Sequence, residues 1–198
     1  MTATLTARTA TTFTTREAWL TAAVEALAIR VFEDIKVPVV RVSVGWPGGR
    51  GSKAGVIGQC WATACAEDGV SQLFISPVMG EAVDVLAVLV HEMVHAVDDC
   101  QSGHRGNFAK IAKSLGLEGK MTATTAGFDL TVTLTEIAAE IGDYPHAVLT
   151  PGAGKKTQGT RMIKLVCQDD GYTLRTTAKW IAVGLPTCPC GEEMEVVA

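Results

Sequence analysis

Residues 90–108 read Val90-His91-Glu92-Met93-Val94-His95-Ala96-Val97-Asp98-Asp99-Cys100-Gln101-Ser102-Gly103-His104-Arg105-Gly106-Asn107-Phe108, and the chemistry of the chain is concentrated there. His91 and His95 are four residues apart. On a helix, positions i and i+4 lie one turn apart on the same face, so both imidazoles can reach one ion. Glu92 is turned about 100° from His91, which lets its carboxylate meet a water beside the ion without becoming a ligand. This is the HExxH pattern of zinc metallopeptidases. If the helix were only core packing, Glu92 would be buried without a partner, at considerable cost. We therefore read His91 and His95 as zinc ligands and Glu92 as the catalytic base. Zinc lowers the pKa of a water towards about 7 and polarises the scissile carbonyl; the carboxylate takes the proton and passes it to the leaving amine.

A catalytic zinc keeps three protein ligands and one open position. His104 is the third candidate: Ser102-Gly103 stops the helix and turns the chain, and Phe108, Ile111, Ala112 and Leu115 restart a helical stripe. Glu118 competes by its distance along the chain, but it follows Gly116 and sits on no evident helix. Asp98, on the histidine face, suits the role of orienting an imidazole. Gln101 occupies the place where a metzincin would carry its third histidine, and His146 falls in a linker-like segment.

Working outward, Thr14 and Glu17 fit a capping box, and Leu20, Val24, Leu27, Val31 and Ile35 form one apolar helical face behind it. Val37 to Trp46 reads as a strand, Pro47 to Gly51 as a loop, and Val56 to Trp61 and Val70 to Ile75 as strands joined across Glu67-Asp68-Gly69. Helices are expected from about Glu81 to Asp99, from Asn107 to Leu115, and from Thr133 to Ile141, the last opened by Thr133 and Glu136. The expected domains are a Thr-rich tail over 1–14, an α+β metallopeptidase domain over 15–142, a Pro/Gly linker over 143–160, and a small cysteine-bearing module over 161–198.

Composition agrees with a folded enzyme. Of the 198 residues, 47% are hydrophobic and 19% charged, enough for a sizeable core. The net charge of -4 argues against a protein-wide basic surface for nucleic acid. No apolar run is long enough for a membrane span, and the first 15 residues lack the apolar core of a secretory signal. Cys60, Cys65 and Cys100 lie in apolar surroundings and read as buried free thiols, so a reducing, cytoplasmic setting is expected.

With these residues in place the sequence resembles the SprT-like family, minimal zincins that include the Spartan proteases acting on DNA–protein crosslinks. The resemblance rests on Val90 to Ala96, Gly103 to Phe108 and Leu115-Gly116-Leu117, with Ile57 to Trp61 and Ile75-Ser76-Pro77 upstream. It covers about residues 15 to 120 and continues into the C-terminal module. It implies helices packed on a three-stranded sheet with the active-site helix across it, bound zinc, peptide-bond hydrolysis and an association with DNA. An exposed strand beside the metal, from Gly58 to Trp61 or from Val70 to Ile75, would take an extended peptide as an added strand.

SprT-like proteins often end in a zinc ribbon, and Arg161 to Met194 resembles one. Cys167 to Gly171 and Cys188-Pro189-Cys190-Gly191 look like two metal knuckles. Asp170 stands where a second cysteine is usual, and one residue instead of two separates Cys188 from Cys190. A second, structural zinc on Cys167, Asp170, Cys188 and Cys190 is chemically allowed, at reduced affinity. The alternative is a degenerate ribbon held by a small core that includes Trp180 and Ile181. Lys155, Lys156, Arg161, Lys164, Arg175 and Lys179, with Tyr172 and Trp180 nearby, suggest contact with DNA.

The expected function is hydrolysis of peptide bonds in protein substrates, DNA-associated or DNA-crosslinked proteins among them, with no membrane partner. Two other readings are a non-catalytic zinc- and DNA-binding protein, which has no need of Glu92, and another HExxH hydrolase such as an amidase.

Overall fold

The computed structural model describes residues 13–46, 55–151 and 162–197, and the chain divides into two compact units, Met1–Pro151 and Gly152–Ala198. Among the described residues the architecture is α+β, with five helices and three small sheets. The N-terminal tail up to residue 12, the loop from Pro47 to Gly51, and Lys155, Lys156 and Arg161 lie outside the described residues.

In the first unit, α1 (Arg16–Arg30) leads to β1 (Val40–Val44), then to β2 (Gly58–Trp61), a 3-10 turn (Thr63–Cys65) and β3 (Ser71–Ile75). α1 is capped by Thr15, whose side chain accepts from Ala18 N, and not by Thr14. Glu17, expected to close the capping box, instead accepts from Val44 N at 3.1 Å and so ties the helix to the end of β1. The sheet has the order β1-β3-β2, with β1 parallel and β2 antiparallel to β3. β3 is therefore central and buries Ser71, Leu73 and Ile75; Val70 to Ile75 is not an edge. β1 and β2 are the two edges, so of the two candidate strands Gly58 to Trp61 is the one with an edge.

α2 (Ala82–Val97) lies against β2 and β3. Its first three turns present Val85, Leu86, Leu89, Val90 and Met93, all completely buried. They meet Leu73 and Ile75 from the sheet, Trp19, Leu20 and Leu27 from α1, and Leu134 and Ile137 from α4 (Phe128–Ile141). Each such side chain contributes about 1.5–3 kcal/mol by leaving water. This apolar block fixes the rotation of α2, and with it the direction in which His91 and His95 emerge.

After α2 come α3 (Gly106–Ser114) and a hairpin of β4 (Leu117–Lys120) and β5 (Ala123–Ala126), followed by α4. α4 begins at Phe128, so Thr133 is interior rather than a cap, and its hydroxyl donates to Asp129 O. Residues 143–151, linker-like in composition, run back over the first unit. Arg16, 5% exposed, donates to four carbonyls: Pro145 (2.8 Å), Pro77 (3.1 Å), His146 (3.2 Å) and Ala147 (3.3 Å). Tyr144 packs edge-on against Trp19, whose indole N–H donates to Gly142 O.

The second unit is a sheet of β6 (Ile163–Val166), β7 (Thr173–Thr176) and β8 (Glu195–Val197) in the order β7-β6-β8, with the short α5 (Ala178–Ile181) after β7. Its core is Leu165, Cys167, Cys188 and Met194, with Ile181 packed against it. Trp180, read from the sequence as part of that core, is 57% exposed. The helix of α5 is a single turn and turns the indole outward, where Lys179 lies 5.0 Å over the ring.

Candidate metal centre

α2 ends at Val97 with Asp98 as its cap, two residues short of the expected Asp99 and ahead of the turn at Ser102-Gly103. Asp99 and Cys100 adopt left-handed backbone angles (φ 46° and 56°), which non-glycine residues seldom do. Asp99 is held there by accepting from Thr63 N (2.8 Å) and Thr63 Oγ1 (3.0 Å). Asp98 is buried and accepts from Ser102 N at 2.7 Å, Ser102 Oγ at 3.0 Å and Asn107 Nδ2 at 3.1 Å. It therefore does not orient an imidazole, as its place on the helix suggests; it clamps the turn that carries His104. Burial pushes its carboxyl up, but the bonds from Ser102 and Asn107 outweigh that and hold it below the usual range.

The clamped turn brings His104 back over α2. His104 Nε2 lies 3.3 Å from His91 Nε2 and 3.2 Å from His95 Nε2. These separations match the edge of a tetrahedron, roughly 3.3 Å, built on metal–nitrogen bonds of about 2.0–2.1 Å. Phe108, completely buried on α3, touches all three rings, stacking on His95 at 4.2 Å and meeting His91 and His104 at 5.0 and 5.2 Å. Burial holds His91 and His95 down to about 4; His95 and His104 lower His91 further, His104 lowers His95 against an opposing pull from Asp98, and burial lowers His104 as well. The rings are thus neutral at pH 7, the form that offers a lone pair to a cation.

Glu92 is 5% exposed and faces the same space. Burial pushes its carboxyl up to about 8. The trio and Glu92 open onto a cleft of about 600 Å³ whose other walls include β2 from Gly58 to Trp61 and Thr124 of β5. Gly58 passes directly by the Glu92 carboxylate. Glu118 and His146 are both exposed, and neither joins the trio.

The sequence pattern missed three contributors: Gly58, Phe108 as the common floor, and Thr124, whose hydroxyl lies 2.8 Å from His91 Nδ1. A glycine inside the strand-like stretch at 56–61 is a signal of close backbone approach. Thr124 gave no signal, because the hairpin turns at Met121-Thr122 and not at one of the glycine or asparagine pairs that mark tight hairpins.

Of the three thiols read as buried, Cys60 and Cys100 are half-buried at the cleft wall with sulfurs 3.5 Å apart, while Cys65 is exposed on the 3-10 turn. Burial pushes the Cys60 and Cys100 thiols up, each raised further by nearby acids.

In the second unit, Cys167, Asp170, Cys188 and Cys190 bring one ligand atom each to within 4.8 Å of one another. Cys167 Sγ is 3.5 Å from Cys190 Sγ, and Cys188 Sγ donates to Asp170 at 3.4 and 3.5 Å. Both knuckle glycines take positive φ, 75° at Gly171 and 103° at Gly191. Asp170 accepts from Tyr172 N at 2.9 Å, which places the carboxylate at the mouth of the knuckle and lowers its carboxyl, with the neighbouring thiols helping. Burial pushes the Cys188 thiol up to about 12, so its thiolate needs a cation beside it. Both clusters have the composition and spacing of metal sites.

Among the described residues no helix is long and apolar enough to cross a membrane. Compared with known proteins, the chain matches no family model, no curated protein and no solved structure.

Proposed function

We propose that this chain is a zinc-dependent metallopeptidase of the SprT-like type, a minimal zincin followed by a ribbon-like module. One observation carries the reading: three neutral imidazoles converge at 3.2 and 3.3 Å beside a buried glutamate on one open cleft. His91, His95 and His104 would hold the zinc. Zinc supplies a Lewis acid and makes water acidic near neutral pH. Glu92 supplies the base. Its desolvation makes the carboxylate a stronger proton acceptor than an ordinary glutamate, and a cation beside it favours the ionised form. It takes the proton of the attacking water at a carboxylate oxygen and delivers it to the departing amine nitrogen. A binding site with only a structural ion has no use for such a group.

The outer edge of β2, unpaired among the described residues, lies along the cleft and suits an extended peptide added as a strand. That favours unfolded or locally opened protein segments as substrates.

Cys167, Asp170, Cys188 and Cys190 would hold a second, structural zinc. DNA is the partner we assign to this unit. Lys164 and Arg175 stand directly opposite each other on the exposed face of β6 and β7, with no ion-pair partner among the described residues. Like charges in that position repel, and a phosphate would relieve them. Tyr172 and Trp180 are exposed enough to stack on bases.

Metal content of the wild type, of His95→Ala and of Cys188→Ala/Cys190→Ala tests the reading. About two zincs in the wild type and one lost in each variant are expected. Casein cleavage, with and without single-stranded DNA, should vanish in Glu92→Gln. Zinc content indifferent to His95→Ala would sink the central assignment. DNA affinity that ignored added salt would remove DNA as an electrostatic partner.

A further inference from the structure

Thr124 is the only group among the described residues that bonds to an Nδ1 atom of the histidine trio. Its Oγ1 lies 2.8 Å from His91 Nδ1, while the Nε2 of the same ring points at His104. An imidazole that offers the Nε2 lone pair to a cation must carry its proton on Nδ1, so the ring donates and the threonine oxygen accepts. We propose that Thr124 is a positioning residue for the metal site, setting the tautomer and the plane of His91. The inference rests on the proposed use of His91 as a zinc ligand.

The placement of Thr124 supports this role. It comes from β5, far along the chain from α2, and is held by the register Gly119↔Thr124 of the hairpin. Thr122 to Thr124 of the hairpin line the same cleft as β2, and the hydroxyl reaches a His91 ring that Phe108 meets only edge-on at 5.0 Å. His95 needs no equivalent partner, because the stacked ring of Phe108 fixes its plane over 4.2 Å. His104 is fixed through the Asp98 clamp on its turn. Each ligand is thus oriented by a different device, and for His91 the device is a neutral hydroxyl. A hydroxyl fixes direction without adding negative charge, which leaves the ion more electrophilic than a carboxylate partner would.

The test uses the full-length protein with Thr124→Val, which keeps the shape and removes the acceptor, and Thr124→Ser, which keeps the acceptor. Zinc affinity is measured by competition with a chromogenic chelator, counting the binding that His95→Ala removes. Thr124→Val should bind about 10-fold or more weakly and Thr124→Ser within about twofold of the wild type, the usual range for an outer partner of a ligating histidine. Thermal unfolding of the metal-free proteins should agree, separating positioning from folding. Two-bond 1H–15N spectra of metal-free protein give a second readout: His91 protonated on Nδ1 in the wild type and Thr124→Ser, and a tautomer mixture in Thr124→Val. Equal zinc affinity and an unchanged tautomer in Thr124→Val would overturn the inference, as would a Thr124→Ser variant as weak as Thr124→Val. A tautomer shift in a wild type that binds no zinc at this site would uphold the hydroxyl's role and overturn the zinc reading alone.

Discussion

Gly58 and Glu92 occupy a space that admits only one side chain: a Cβ at residue 58 would lie 2.9 Å from Glu92 Cδ and 2.6 Å from a methyl of Val88. The edge strand can run past the Glu92 carboxylate only because residue 58 has no side chain. Gly58→Ala is therefore expected to push Glu92 off its line while leaving the histidines alone. Activity on casein should fall roughly 100-fold, the usual consequence of a displacement of about 1 Å in a catalytic group. Zinc content should not change. A Gly58→Ala enzyme with wild-type kcat would show that the carboxylate has room to spare.

Arg16 spends its guanidinium on four backbone carbonyls from two separate stretches of chain, and the Tyr144 ring lies 4.7 Å from it. Lysine cannot reproduce that fork. Arg16→Lys should cost about 2–3 kcal/mol in urea unfolding, from charge-assisted bonds at about 1.5–3 kcal/mol each with partial recovery by the ammonium. Limited proteolysis should then cut first within 143–151. Loss of stability without new cleavage there would assign the arginine's effect to α1 instead.

Tyr144 gives a dependence on pH. Burial pushes its phenol up to about 12, with Arg16 pulling it partly back and Glu17 pushing it further. The ordinary value is about 10. Below that pH the proton is bound in both folded and unfolded chains and the contribution is complete. Between about 10 and 12 only the unfolded chain releases it, so stability falls as pH rises. The hydroxyl is buried without a hydrogen-bond partner among the described residues, so Tyr144→Phe should be neutral or slightly stabilising at pH 7. The melting temperature of the variant should exceed that of the wild type increasingly as pH climbs past about 10. Parallel curves would mean the phenol ionises freely in the fold.

Asp170 offers a gain-of-function test. It stands 3.4 Å from Cys188 Sγ within a cluster that otherwise consists of thiols. Asp170→Cys completes a four-thiolate set, the composition of closed structural zinc sites. Zinc should be held more tightly by the variant, and a chelator that strips the wild-type second unit should leave the variant loaded. Weaker retention in the variant would mean that the knuckle is shaped around the carboxylate.

Much of the site is legible in the sequence because helical spacing is a local property. His91, Glu92 and His95 need only a helix to define their directions, and the apolar run before them makes the helix certain. The strand at 70–75, joined to β2 through Gly69 at φ 68°, is legible for the same reason, from its bounding turn. Thr15 replaces Thr14 as the cap because Glu17 finds a better partner in β1, a contact between elements that spacing does not encode. Asp98 is misread on similar grounds: its face of α2 is predicted correctly, but its hydrogen bonds are decided by the turn beyond the helix. The end of α2 near Asp99 is legible, but the left-handed angles at Asp99 and Cys100 are not, because local preference assigns them to Gly103 alone. The core of the second unit is only Leu165, Cys167, Cys188 and Met194, and there Trp180 ends outside because one turn of helix cannot bury it.

The histidines that meet over α2 are drawn from a single short stretch, His91 and His104 being only thirteen positions apart. Closing so short a loop costs little chain entropy. The cleft that surrounds them is different, since Gly58 and Thr124 arrive from 34 positions before Glu92 and 33 after His91. Gathering the three imidazoles and closing the cleft around them thus draw on contacts of very different range. A partly melted chain is therefore expected to keep His91, His95 and His104 near one another after Gly58 and Thr124 have separated from them. Should the trio hold a metal, ligand capture would precede completion of the cleft, and the order in which metal binding and cleft protection appear on refolding reports it.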